Sequence, residues 1–332
     1  MLPAVNKNGL VHSPVGPPRI EPVPEGVSRP LWSVMIPTFN CAKYLRQTLD
    51  SVLRQDPGEG QMQIEVVDDC STQDDPEAVV QETGKGRVAF HRKPKNEGAI
   101  ANFNTCLRRS RGHLIHILHG DDCIQPGFYD AVGRAQEHFS DVALIATRSF
   151  IMDEEGHFTE MTRRLPGLEM PSREINEFFL VTPIQCAGVV VRRCFYEKSG
   201  GFRTDLPHAA DTEMWSRAVG KGGGVVLPQV LACYRNFSGN DTGRLMRTAE
   251  NLRDRERLIE IWAEREHGFD REKAVNFMLR MALDQHDRFA ALGDVSAARE
   301  NLRFWQERAS ARKKMKRALR LLLAKLGLFA SK

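Results

Sequence analysis

Ile64-Glu65-Val66-Val67-Asp68-Asp69-Cys70-Ser71-Thr72 runs from strand-forming residues straight into a turn. β-Branched residues hold three of the first four positions; two acids, Ser and Thr dominate the last five. The stretch therefore reads as a strand that ends in an acidic turn. The same grammar recurs on both sides of it. Upstream, the apolar run over 32–36 stops at Pro37. Asn40 is then expected to cap a helix whose apolar face is Tyr44, Leu45, Leu49, Val52 and Leu53. Downstream, 113–118 reads as a strand running into Gly120, Asp121 and Asp122. A polar helix is expected over 76–83, a strand over 87–91, helices over 98–109 and 126–139, and a strand over 142–146. Strands and helices alternating at this spacing predict an α/β domain with a mostly parallel, doubly wound, Rossmann-like sheet. In such sheets ligands bind beyond the carboxyl ends of the strands. Three polar segments, 37–40, 68–72 and 119–122, fall at such ends.

Past residue 150 the alternation loosens. Residues 153–156 read as a hairpin turn, 187–191 and 229–234 as strands, 212–219 as a helix and 220–224 as a loop. From 243 the pattern is helical, over 244–266, 271–290, 295–308 and 312–326, punctuated by Gly268 and Gly293. Residues 1–30 hold seven of the seventeen prolines and read as a disordered leader. The expected organisation is a leader over 1–30, the α/β domain over 31–240, a helical region over 241–310 and a basic amphipathic tail over 311–332.

With 332 residues, 41% apolar and 27% charged, the chain can bury a large core without metal or disulfide staples. Its net charge of +4 conceals an asymmetry. Nine Lys/Arg and no acid lie between Arg308 and Lys332, while the rest carries 38 basic against 43 acidic side chains. The body is thus not a nucleic-acid-binding surface. Seven irregularly spaced cysteines without a C-x-x-C fit reduced thiols, and no signal peptide or spanning segment is read, so a cytoplasmic location is expected.

Carboxylates at strand ends admit three readings: turn formation and helix capping, coordination of a hard cation such as Mg²⁺ or Mn²⁺, and general acid–base work. Neither G-x-x-x-x-G-K-[ST] nor a G-x-G-x-x-G after the first strand occurs. A bound phosphate would need another cationic partner, which a metal held by Asp122 could supply.

In order along the chain stand Val34 to Asn40 (VMIPTFN), Val66 to Thr72 (VVDDCST), Asn96-Glu97-Gly98 and His119-Gly120-Asp121-Asp122. Gly200-Gly201-Phe202 and Ala210 to Arg217 (ADTEMWSR) follow. Together, over roughly 31–238, these segments resemble glycosyltransferase family 2, inverting nucleotide-sugar transferases of the GT-A fold. The resemblance implies that Pro37, Thr38 and Phe39, with Asn40 beside them, contact the nucleobase and ribose. Asp69 would hydrogen-bond the base, and Asn96, Gly98 and Asn102 would close the nucleotide pocket. Asp121 would touch ribose or metal, Asp122 would ligate a divalent Mg²⁺ or Mn²⁺, and Asp211 would be the base that activates the acceptor. The implied reaction moves a sugar from a UDP- or dTDP-type donor to a glycan or lipid-linked acceptor in cell-surface polysaccharide or glycolipid assembly.

Four positions depart from the family's pattern. His119 replaces the first acid of the DXD motif, Ala210 replaces an acid before Asp211, Cys70 stands at a common Gly position, and Phe237 stands where many relatives carry a metal-linked His. Structural readings stay open: Asp69 and Asp122 as caps, Asp211 as an N-cap, Trp215 as core. Two rival functions are a decayed, binding-only relative and a sugar-phosphate nucleotidyltransferase; the latter would want a Gly-rich, cationic loop after the first strand. The tail over 311–328 forms a basic helix with Leu319, Leu322, Leu323 and Leu326 on one face. It suits peripheral contact with the inner face of a membrane, or docking on the preceding helices.

Overall fold

The computed structural model describes residues 16–180, 182–237, 239, 241–266 and 269–325. It divides into two compact units, 1–237 and 238–332.

The first unit follows the alternation of its sequence. In chain order it has β1 (Trp32–Thr38), α1 (Ala42–Leu53), β2 (Met62–Asp68), α2 (Pro76–Gly84), β3 (Ala89–Arg92), α3 (Ala99–Arg109), β4 (Leu114–Ile117), β5 (Cys123–Ile124) and α4 (Phe128–His138). Then come β6 (Leu144–Met152), β7 (Phe158–Met161), α5 (Asn176–Leu180), β8 (Val189–Arg192), α6 (Arg193–Ser199), α7 (Ala210–Gly222) and β9 (Gly224–Arg235). One sheet runs β3-β2-β1-β4-β8-β6-β9-β5, with β7 beside β6. Its first four strands are parallel. β8 then enters antiparallel to β4 and to β6, and β9 runs parallel to β6. The fold is an α/β domain, as expected, with a mixed sheet whose antiparallel strands are added where the sequence alternation loosens.

The core explains the order of elements. β1 is buried along its whole length, as a strand covered on both faces must be. Leu45, Leu49 and Val52 of α1 pack on Val34, Ile36, Ile64 and Val66. Burial of such side chains contributes about 1.5–3 kcal/mol each. His116 of β4 is fully buried too; its ring stacks on Phe128 and bonds Tyr129 Oη and the Ala187 carbonyl.

Several expectations are corrected. Asn40 does not cap α1. Its Oδ1 accepts instead from the N–H groups of Thr72 and Gln73, and Asp74 Oδ2 reaches across to the Ala42 N–H at the helix start. Residues 17–30 are not a loose leader. Ile20 is 1% exposed, Gly201 N–H donates to the Pro18 carbonyl, and Arg193 donates to the Glu21 carbonyl. Residues 1–15 lie outside the described residues. Gly220 and Gly222 belong to α7, which ends only at Gly223. β9 is twice the expected length because it pairs with β6 from Gly224 to Arg235, while Cys233 and Ala232 also pair with β5.

The second unit is helical: α8 (Asp241–Arg247), α9 (Glu250–Arg265), α10 (Arg271–Ala291), α11 (Val295–Arg308) and α12 (Ala311–Lys325). A break at Ala249, in the left-handed region at φ 56°, splits the expected first helix. Leu252 and Ile259, Met278, Leu279 and Ala282, and Phe304 and Trp305 form its core. Among the described residues no helix is long and apolar enough to cross a membrane.

Candidate active site

The site begins at the end of β1. Two successive carbonyls there hold the two acidic loops: Asp69 N–H donates to Thr38 O at 2.9 Å, and Gly120 N–H to Pro37 O at 3.1 Å. Only glycine fits at 120, since a Cβ would lie 2.6 Å from the Thr38 methyl and 2.9 Å from Cys41 Sγ. Thr48 of α1 donates its hydroxyl to the Gly120 and Asp122 carbonyls, fixing the turn from below. The loops after β1, β2 and β4 thus meet at the carboxyl edge of the sheet, as expected for a ligand site.

In the loop after β2, Asp68 accepts from Ser71 N–H and Oγ and from Arg92 Nε. Cys70 sits at φ 65°, the left-handed conformation that favours glycine, which accounts for the common glycine at this position. Asp69 is buried. Its carboxylate accepts from Lys93 Nζ at 2.6 Å, from Glu97 N–H and from Gly98 N–H at 2.8 Å. Gly98, at φ 89°, precedes the first residue of α3, so Asp69 caps that helix from another element. Asn96 Oδ1 also accepts from Gly98 N–H. Asn102, one turn on, donates to the Val67 carbonyl at 2.8 Å and leaves its buried Oδ1 without a partner. Thr38 Oγ1 is likewise buried and unpartnered, while Phe39 beside it is 45% exposed.

The loop after β4 carries His119, Asp121 and Asp122, whose ligand atoms lie within 4.8 Å of one another. Asp122 is 1% exposed. Its Oδ1 accepts from the Arg235 N–H at 2.8 Å; its Oδ2 has no hydrogen-bond donor and lies 3.7 Å from His119 Nδ1. Asp122 caps no helix, since α4 starts after Gly127. A buried acceptor without a donor costs about 1–3 kcal/mol, a cost that a bound cation would offset. Burial, then the neighbouring Asp121 charge, pushes the Asp122 carboxyl well above its usual range. Two carboxylate oxygens and an imidazole nitrogen are a fitting donor set for a divalent ion. His119 itself is held by stacking on Phe103 at 4.9 Å. Phe103 meets Phe202 at 5.5 Å, and Phe202 meets Trp215 at 5.5 Å. Trp215 is therefore core, and this row of rings runs from the acidic turn to α7.

Asp211 lies in the first turn of α7, beyond its N-cap Ala209. It is half-buried, and its Oδ1 accepts from Thr212 N–H and Oγ1. The buried Cys186 thiol donates to the Ile117 carbonyl of β4. Burial, then Asp211, then Asp122 pushes that thiol up, so it lies within the field of both carboxylates. Asp69 and Asp122 thus stand on neighbouring strand-end loops, and Asp211 opens α7.

The sequence reading missed three supports. Lys93 is buried between Asp69 and Glu97. Arg235, at the end of β9, donates to the carbonyls of Asp121, Asp153 and Glu154 and to Gln47 Oε1, with its guanidinium 4.5 Å over the Tyr44 ring. Cys186 is the third. Of the three, Arg235 lies two residues before Phe237, within a segment the family resemblance singles out. Phe237 offers no ligand atom and packs on Tyr44 at 5.5 Å.

The comparisons with known proteins agree with this geometry. Residues 33–199 match the model of glycosyl transferase family 2. An uncharacterized protein of Mycobacterium tuberculosis is 29% identical over 70% of this chain and 75% of its own length. The poly(ribitol-phosphate) β-N-acetylglucosaminyltransferase TarS of Staphylococcus aureus is 32% identical over 34% of the chain, and the Escherichia coli chondroitin synthase 34% identical over 39%. The matched stretches span only 20% and 18% of those two proteins. Among solved structures, residues 1–349 of staphylococcal TarS with UDP-GlcNAc superpose with a TM-score of 0.52 at 15% identity, over 83% of this chain and 91% of that one. The mannosyltransferase PcManGT of Pyrobaculum calidifontis, with GDP-Man and Mn²⁺, gives 0.54 at 18% identity, over 93% and 84%. Strand-end loops, domain match and shared scaffold lead to one conclusion: the chain belongs to glycosyltransferase family 2 and is a GT-A glycosyltransferase.

Proposed function

We propose that the chain transfers a sugar, with inversion, from a UDP- or dTDP-type donor to a glycan or lipid-linked acceptor in cell-surface polysaccharide or glycolipid assembly, at the cytoplasmic face of a membrane. The observation that carries the reading is the buried, donor-less Oδ2 of Asp122 beside Asp121 and His119. Asp122, with Asp121 and His119, would hold a divalent Mg²⁺ or Mn²⁺, which would supply positive charge against the departing diphosphate. Asp121 would also contact the ribose.

The chain's own residues do the rest. The exposed Phe39 ring offers the nucleobase an apolar face, and Pro37, Thr38 and Asn40 shape the wall next to it. Thr38 Oγ1 and Asn102 Oδ1 are buried acceptors that a nucleoside can satisfy. Asp69 accepts from a base N–H while it keeps Lys93 and the start of α3 in place; a carboxylate has about four acceptor sites. Asn96 and Gly98 bring the backbone close to the nucleotide. Asp211 takes the proton of the acceptor hydroxyl as that oxygen bonds to the anomeric carbon. The bond from that carbon to the diphosphate breaks on the opposite face, so the anomeric centre inverts through an oxocarbenium-like state.

The test is a panel of nucleotide sugars with Mn²⁺ or Mg²⁺, read by transfer and by thermal shift. Asp211→Asn should abolish transfer while leaving nucleotide binding intact. Turnover of Asp211→Asn at the wild-type rate would reject the base. Nucleotide binding without turnover of any donor by the wild type would select the binding-only reading instead.

A further inference from the structure

We propose that α12 seats the protein on an anionic phospholipid surface through an apolar stripe that faces away from its own helical unit. Two contacts fix the rotation of the helix. Lys313 Nζ donates to Asn276 Oδ1 of α10, and the Arg317 guanidinium lies 5.2 Å over the Trp305 ring of α11. Among the described side chains of the helix, Lys313 and Arg317 are partly buried, whereas 311, 312, 314–316, 318, 319 and 322 are exposed.

At 100° per residue, the face opposite Lys313 and Arg317 is that of Met315, Leu319 and Leu322. These three are 69%, 54% and 54% exposed, among the most exposed large apolar side chains of the protein. Of the stripe anticipated from sequence, Leu319 and Leu322 are exposed on this face and Met315 joins them; the Leu323 side chain and Leu326 lie outside what is described. Among the described side chains of α12, it is Lys313 and Arg317 that meet the preceding helices. Arg312 and Lys316 flank the stripe on one side and Lys314 on the other, and no acid occurs from 308 to 332.

An apolar strip between two rows of cations, on a helix that cannot span, is the pattern of an interfacial helix. Its 15 residues extend about 22 Å. The cations would sit at headgroup level while Met315, Leu319 and Leu322 enter the acyl boundary. A continuous negative surface matches charge distributed on both flanks, which is why the occupant is lipid and not a second copy of this equally basic helix.

The experiment is sedimentation of the full chain with phosphatidylcholine vesicles, with and without phosphatidylglycerol. It needs no turnover, so its outcome is separate from that of the transfer reaction. The wild type should pellet with the anionic vesicles only, and less at high salt. Leu319→Glu/Leu322→Glu should bind at least about tenfold more weakly, with an unchanged melting temperature because both sites are exposed. Met315→Ser/Leu319→Ser serves if the charged variant does not fold. Wild type that stays in the supernatant, or variants that pellet equally, would overturn the proposal. So would a wild-type dimer that these substitutions split without any vesicle binding.

Discussion

Arg235 grips the acidic turn twice, with its backbone N–H on Asp122 Oδ1 at 2.8 Å and its Nε–H on the Asp121 carbonyl at 2.9 Å. The same guanidinium reaches the Asp153 and Glu154 carbonyls in the β6–β7 hairpin. One buried side chain therefore sets the position of two candidate ligands, although it cannot bind a cation itself.

Arg235→Ala should leave the 121–122 turn less constrained. The backbone bond to Asp122 survives the change, but the bonds to Asp121 and the hairpin do not. Mn²⁺ affinity should fall about 10- to 100-fold, as for other residues that orient ligands. Stability should fall by about 2–4 kcal/mol for the emptied, previously bonded site. Calorimetric Mn²⁺ titration and denaturant melts read the two effects; an unaltered Mn²⁺ isotherm would remove the positioning role.

Asp122→Asn keeps an acceptor at Oδ1 for the Arg235 N–H and deletes the charge at Oδ2. It should therefore fold, and it should lose the melting-temperature rise that Mn²⁺ gives the wild type. Transfer should fall at least about 100-fold. An Mn²⁺-induced shift equal to that of the wild type would place the ion elsewhere.

How much of this was readable beforehand depended on range in sequence. Strand ends, acidic turns and the parallel order over β1 to β4 follow from local periodicity and turn chemistry, which a single chain displays. Asp69, Asp122 and Asp211 are singled out only by the family resemblance, because acids at strand ends and helix starts also form turns and caps, as Asp69 does at α3. Lys93, Arg235 and Cys186 were not legible. Their partners are 24, 113 or 69 residues away, and nothing local distinguishes a buried cation from a solvated one. Asn40 illustrates the converse. It occupies a plausible cap position, yet at φ 50° its side chain turns to the neighbouring loop at Thr72.

His119→Asp restores a carboxylate where this chain has an imidazole. Nitrogen ligands suit later transition metals, and oxygen suits Mg²⁺. The wild type should bind Mn²⁺ more tightly than Mg²⁺, and His119→Asp should raise Mg²⁺ affinity by about tenfold. Stacking on Phe103 would be lost, lowering stability by roughly 1 kcal/mol. Identical Mg²⁺ affinities in the two proteins would show that His119 does not face the ion.

His116 gives the fold a dependence on acid. Burial lowers its pKa to about 4, against about 6.5 for an exposed imidazole, with a partial offset from its bond to the Ala187 carbonyl. The unfolded chain therefore binds the proton first as pH falls. This contribution to stability is complete above pH 6.5 and is lost progressively down to about pH 4, a swing of roughly 3 kcal/mol. His116→Gln, which cannot titrate, should be less stable at neutral pH because the ring packs on Phe128. Its denaturant midpoint should nevertheless change less between pH 6.5 and 4 than that of the wild type. Parallel pH profiles for the two proteins would mean that another group carries the acid sensitivity.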